Sequence, residues 1–182
     1  MFLLDETNFF PPVNTAEPDG LLAIGGDLSP DRLLNAYRSG IFPWYDDGPM
    51  LWWSPDPRFI LFPEDLKISK SMRPVLNQPR FRFSMNTAFR EVMEHCGRVK
   101  SSEQESTWIN EEMIDAYTKL HKMGHAFSAE AWLQDDLVGG LYGIWLGNVF
   151  FGESMFALQA NGSKFAFIRC VQYLKSQGVL LI

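Results

Sequence analysis

Three consecutive runs from Ala126 constrain the fold most: Ala126–Leu133, a polar turn at Gln134-Asp135-Asp136, Leu137–Leu146, a Gly147-Asn148 turn, and a third run opening at Val149. Apolar and aromatic stretches of this length, punctuated by turn residues, fold as antiparallel strands joined by hairpins. Around that meander the sequence predicts an extended segment through Arg80–Met85 and a helix from Thr87 with Phe89, Val92 and Met93 on one face. Another helix runs from Asn110 through Met113, Ala116, Tyr117 and Leu120 toward Gly124. A last helix begins near Ser163, ends before Gly178, and leads into Val179–Ile182, which has the look of a buried strand.

The first third has another texture. Phe10 to Pro63 is dense in Pro, Gly, Trp and Asp, with one helix signalled by Ser29 as N-cap, Pro30 at the first turn, Leu33, Leu34 and Tyr37 along it, and Gly40 at its end. A boundary near Pro63 gives a small loop-rich N-terminal domain, residues 1–63, and a second domain, residues 64–182. The whole is α+β with a mainly antiparallel sheet.

With 182 residues, 46% of them hydrophobic, the chain can bury a substantial core. The opening Met1–Glu6 has no basic segment and is soon broken by acids, and no later run approaches the ~20 apolar residues of a membrane span. Cys96 and Cys170 are alone and far apart, which suggests buried thiols in a reducing cytoplasm rather than a disulfide or a metal site. His95, His121 and His125 have neither triad nor metal spacing. A net charge of −6 excludes a protein coated in basic surface, so any RNA contact is local. Six tryptophans and fifteen phenylalanines supply flat apolar surfaces, of which base stacking is one use.

Four stretches carry a resemblance: Gly20-Leu21-Leu22-Ala23-Ile24-Gly25-Gly26-Asp27-Leu28, Gly40-Ile41-Phe42-Pro43-Trp44, Leu51-Trp52-Trp53-Ser54-Pro55-Asp56-Pro57-Arg58 and Gly152-Glu153-Ser154-Met155-Phe156. In this order and spacing they resemble the leucyl/phenylalanyl-tRNA–protein transferases. The resemblance implies an acetyltransferase-like (GNAT-type) second domain and transfer of Leu or Phe from charged tRNA to proteins beginning with Arg or Lys, marking them for degradation. It implies no cofactor, the aminoacyl ester of tRNA taking the place of an acyl-coenzyme A.

Such an ester is already activated, so the acceptor amine needs positioning more than power. An α-amino group, with a pKa of roughly 7.7–8.0, is partly neutral at neutral pH. Aligning it with the ester is worth ~7 kcal/mol or more. Trp44 and Trp108 are the candidates to sandwich the adenine, the alternative being core packing; Tyr37 and Tyr117 are candidates to edge the adenosine. Glu153, between apolar residues, is the strongest polar candidate, to hold the ester, the amino group or the ribose, or else to brace a turn. By position Leu141, Phe150, Met155 and Ile182 match the walls of a side-chain pocket; the family commonly has Met where this chain has Leu141, a nearly volume-conserving change. Ser163, with Lys164, opens a helix whose amides suit an oxyanion, a plain N-cap being the simpler reading. Lys67, Lys70 and Arg73, with Arg80 and Arg82, form a thin basic run for tRNA phosphates or a solvated face.

Members of the family continue from Leu181-Ile182 into an Asp-Cys-Gln segment held to share in the chemistry. Its absence here leads to the expectation of a shortened chain whose own activity is doubtful. Two other readings stay open: a related acetyltransferase-like enzyme using aminoacyl-tRNA or acyl-coenzyme A, and a non-catalytic binder of charged tRNA ends or protein N-termini. The nearest approach to a coenzyme A loop, Gln159-Ala160-Asn161-Gly162-Ser163, lacks its basic opening and second Gly.

Overall fold

The structure is a computed structural model that describes residues 1–45, 48–98 and 109–182. Its elements are β1 (Phe2–Leu4), β2 (Leu21–Gly25), α1 (Pro30–Arg38), β3 (Phe42–Pro43), β4 (Leu51–Trp53), α2 (Met72–Asn77), β5 (Arg82–Met85), α3 (Phe89–Arg98), α4 (Glu111–Lys122), β6 (Ala126–Leu133), β7 (Asp136–Leu146), β8 (Val149–Ala157) and α5 (Gly162–Ser176). The fold is mixed α+β, as the sequence led us to expect. Two compact units divide it: Met1–Phe59 with the described residues up to Ala116, and Ile60 to residue 98 with Tyr117–Ile182.

The first unit carries a four-stranded sheet in the order β1-β2-β4-β3, parallel only between β1 and β2. The sequence reading, which saw loops and one helix, missed this sheet. Its strands are two to five residues long, too short for a period to register. Leu22, Ala23 and Trp52 anchor it, all fully buried. The Trp52 indole donates to the Gly25 carbonyl at 2.8 Å, and Phe10 meets its ring edge-on at 4.9 Å. Helix α1 lies where expected, but the Ser29 hydroxyl makes no capping bond; only its carbonyl serves, accepting from the Leu33 amide at 3.0 Å. Gly40, at φ +74°, ends the turn in a conformation that side chains resist.

In the second unit the sheet order is β5-β6-β7-β8, antiparallel throughout. Helix α5 covers one face with Phe165, Ala166, Ile168, Cys170 and Leu174, against Ala129, Ala131, Val138, Leu141 and Phe150. Helix α3 covers the alternate residues, with Phe89 edge-on to Tyr142 and His95 stacked on Phe156 at 4.7 Å. A buried Phe, Ile or Leu side chain contributes about 1.5–3 kcal/mol, so both faces of β7 are apolar. Glu130, fully buried between β5 and α3, is satisfied rather than stranded. It accepts from the Ser84 and Ser128 hydroxyls, each at 2.6 Å, and from the amides of Thr87 and Ala88 at 3.3 and 3.4 Å. The last residues do not make the expected strand. They form a single parallel bridge, Val149↔Leu181, while Ile182 and Leu61 exchange amide bonds at 2.9 and 2.7 Å.

Helix α5 starts directly on β7. A Cβ at Gly139 would lie 2.5 Å from the Gly162 carbonyl carbon, a backbone atom that cannot swing aside. Gly139→Ala must therefore push α5 off the sheet, and urea unfolding should show a loss of about 1–3 kcal/mol; unchanged stability would mean that this contact is looser than described.

Candidate functional site

Glu153 owes its position to a slip in the β7–β8 ladder. Tyr142 pairs with Ser154, whereas Gly143 pairs with Gly152, which leaves Glu153 as the extra residue of a β-bulge. A bulge bends its strand and re-aims one side chain, and Glu153 ends half-buried as the one charged residue of β8. Beside it Gly152 is exposed. A Cβ there would meet only the Phe150 ring, at 4.0 Å, so the backbone next to the carboxylate is open to approach. Tyr142 is fully buried, with Tyr117 edge-on at 5.8 Å. Burial first, then the charge of Glu153, holds its hydroxyl well above the usual phenol range, so it stays protonated.

Three of the four expected pocket residues lie on β7 and β8, and the fourth, Ile182, follows the bridge at Leu181. Leu141 and Phe150 are buried in the core against α5, and Ile182 packs on that core. Met155 pairs with Leu141 across the ladder, yet it is 48% exposed, the one member of the four on the surface. The Phe150 ring lies so close over Gly143 that a Cβ there would sit 2.5 Å from it.

Tyr37 and Trp44 belong to the first unit, and the structure treats them differently. Tyr37 is buried in α1, whereas Trp44 is 42% exposed. Trp53 supports it, ring to ring at 5.5 Å, and donates its indole N–H to the Trp44 carbonyl at 2.6 Å. Tyr117, in the second unit, is fully buried. Trp108 lies outside the described residues.

Ser163 is not the N-cap of α5. That place is held by Asn161, in a left-handed conformation at φ +71°, whose carbonyl accepts from the Phe165 amide at 2.9 Å. Ser163 falls in the first turn, with its amide against Gly139. Lys67, Lys70 and Arg73 are exposed. Arg73 borders a groove of about 430 Å³ lined by Leu66, Ile68, Leu76, Asn77, Arg169 and Gln172. Arg169, which the sequence reading passed over inside an apolar helix, donates to the Leu76 carbonyl at 2.7 Å and lies over the Phe165 ring. Arg80 and Arg82 sit over Phe81 and Trp132. Among the described residues no group of three or more His, Cys, Asp or Glu is placed to hold a metal, and no helix is long and apolar enough to cross a membrane.

Two sequence models of one family match the chain. The leucyl/phenylalanyl-tRNA protein transferase model covers residues 60–182, and the model of that family's N-terminal domain covers residues 26–56. A leucyl/phenylalanyl-tRNA–protein transferase of Christiangramia forsetii is 55% identical over all of this chain and 87% of its own length. The chain belongs to the leucyl/phenylalanyl-tRNA protein transferases. Others of that name, from Flavobacterium johnsoniae and Syntrophobacter fumaroxidans, are 54% and 51% identical over the whole chain and 86% and 78% of theirs. A solved structure of L-PGS from Bacillus licheniformis aligns with 88% of this chain and 51% of its own at a TM-score of 0.46 and 14% identity.

Membership makes the chain an aminoacyltransferase. In this transferase both cysteines are buried, and burial pushes each thiol up from 9.0 to about 12. Cys96 also has a side-chain hydrogen bond with Ser154, next to the bulge. Raised values mean less thiolate at every pH below them. Neither thiol should react with iodoacetamide at pH 8 in the folded transferase, and both should react in urea; rapid native labelling would contradict this burial.

Proposed function

We propose that this transferase moves Leu or Phe, with Met as a further donor, from aminoacyl-tRNA to proteins beginning with Arg or Lys, marking them for degradation. The observation that carries the reading is Glu153, lifted out of the β8 ladder beside an exposed glycine and an apolar wall. A carboxylate beside apolar residues suits a ligand with one polar end and one apolar side chain, which describes a Leu or Phe ester. In this reading Glu153 holds the polar end, and Leu141, Phe150, Met155 and Ile182 face the side chain. Ser163 steadies the oxyanion from the first turn of α5.

In the first unit, the exposed ring of Trp44 offers the adenine a stacking surface worth about 1–3 kcal/mol, and Trp108 is its proposed companion. Tyr37 and Tyr117 are the proposed hydroxyl contributors to binding the adenosine or the tRNA end. Lys67, Lys70 and Arg73 meet tRNA phosphates, a role supported by their exposure. The surplus of 22 acidic over 16 basic residues favours acceptors with a cationic first residue. A separate N-terminal domain and transfer domain meeting near Pro63 complete the proposal; the gap between the matched segments, 26–56 and 60–182, supports it.

Chemically, the acceptor's neutral amine attacks the ester carbonyl, the C–N bond forms as the C–O bond breaks, and the tRNA hydroxyl leaves with the proton that the amine gives up. The chain's contribution is alignment. The test is transfer of labelled Leu or Phe from charged tRNA to a peptide beginning with Arg. Glu153→Gln should lower kcat/KM by about 100-fold, or ~2.7 kcal/mol. Full transfer by Glu153→Gln would remove the carboxylate from the reading, and transfer to an Ala-first peptide at the same rate would remove the acceptor preference.

A further inference from the structure

The Tyr142 hydroxyl is a fully buried polar group with no hydrogen-bond partner among the described residues. Leaving it unpaired is unfavourable, because water that would bond it is excluded. A Phe ring would fill the same space without that cost, so packing alone does not account for the oxygen. Its surroundings fix the ring: Phe89 and Tyr117 meet it edge-on at 6.2 and 5.8 Å, from helices α3 and α4. What the phenol lacks is an acceptor.

The register of the sheet supplies one. Tyr142 faces Ser154, and the residue before Ser154 is the bulged Glu153. The next pair along the ladder, Gly143 and Gly152, turns toward the Phe150 ring, so the slip in register falls directly beside Tyr142. The Ser154 side chain is itself engaged with Cys96. The carboxylate is near enough to act on the phenol electrostatically, and the hydroxyl stays protonated and able to donate. Glu153 is half-buried and on a bent stretch of strand, whereas the Tyr142 ring is fixed in the core.

We infer that Tyr142 is a positioning residue for Glu153: when the aminoacyl donor binds, the buried hydroxyl donates to the Glu153 carboxylate and holds it on the donor's polar end. This rests on the site proposed above. The bulge thereby gives the carboxylate two settings, one without the phenol and one with it, and donor binding selects the second. The bond to the carboxylate offsets the cost of burying the hydroxyl.

The test measures affinity for an amide-linked phenylalanyl-adenosine analogue in the unaltered protein, Tyr142→Phe, Glu153→Gln and the double variant, with thermal midpoints alongside. Tyr142→Phe should melt no lower than the parent and bind about tenfold more weakly. The double variant should bind no more weakly than Glu153→Gln, because the hydroxyl acts only through that carboxylate. Parental affinity in Tyr142→Phe, or fully additive losses in the double variant, would overturn the inference while leaving Glu153 in its role. Unchanged affinity in Glu153→Gln, or no binding by the parent, would overturn the site and this inference with it.

Discussion

Strand β7 is held from both sides at backbone distance. On one face the first turn of α5 rests on Gly139 with no side chain between them, and on the other α3 brings Val92 to within 3.2 Å of where a Cβ on Gly140 would stand. A strand clamped in this way has no freedom to slide, so the whole adjustment between β7 and β8 is concentrated in one slip, at Tyr142 and Gly143. The bulge that presents Glu153 is thus a consequence of how tightly the central strand is packed. Around it the remaining geometry follows: Phe150 closes over Gly143, Met155 lands opposite Leu141, and the phenol of Tyr142 comes to rest within electrostatic reach of the Glu153 carboxylate.

The strands and helices of the second unit were legible because each run is long enough for its period to repeat and each ends in a recognisable stop, such as Gln134-Asp135 or Gly147-Asn148. The first unit's sheet was not legible. Pairings such as Phe42↔Trp53 and Pro43↔Trp52 join partners about ten residues apart across loops, and no local pattern announces them. Helix α2 was missed for a simpler reason. Pro74 reads as a breaker, yet in the first turn a proline lacks only an amide that the helix leaves unbonded anyway.

Of the candidate site, the chemical types were legible and the geometry was not. An acid between apolar stretches, the tryptophan after Pro43 and a thin basic run stand out in the sequence by composition alone. A one-residue bulge leaves no trace in such a pattern, because one extra residue beside Gly152 changes no local propensity. Nor does a sequence distinguish a tyrosine whose hydroxyl is satisfied from one whose hydroxyl waits. Trp53 and Arg169 show the same limit: each was assigned to packing or passed over, and each turns out to brace a residue of the candidate site or border its basic groove.

The central claim is that the bulge on β8 is where the aminoacyl end of the donor is held. The most direct measurement is a crystal structure of the chain soaked with a non-hydrolysable aminoacyl-adenosine analogue. The account predicts the analogue's polar end against the Glu153 carboxylate and its apolar side chain against Met155. An analogue bound in full occupancy with Glu153 untouched would contradict it.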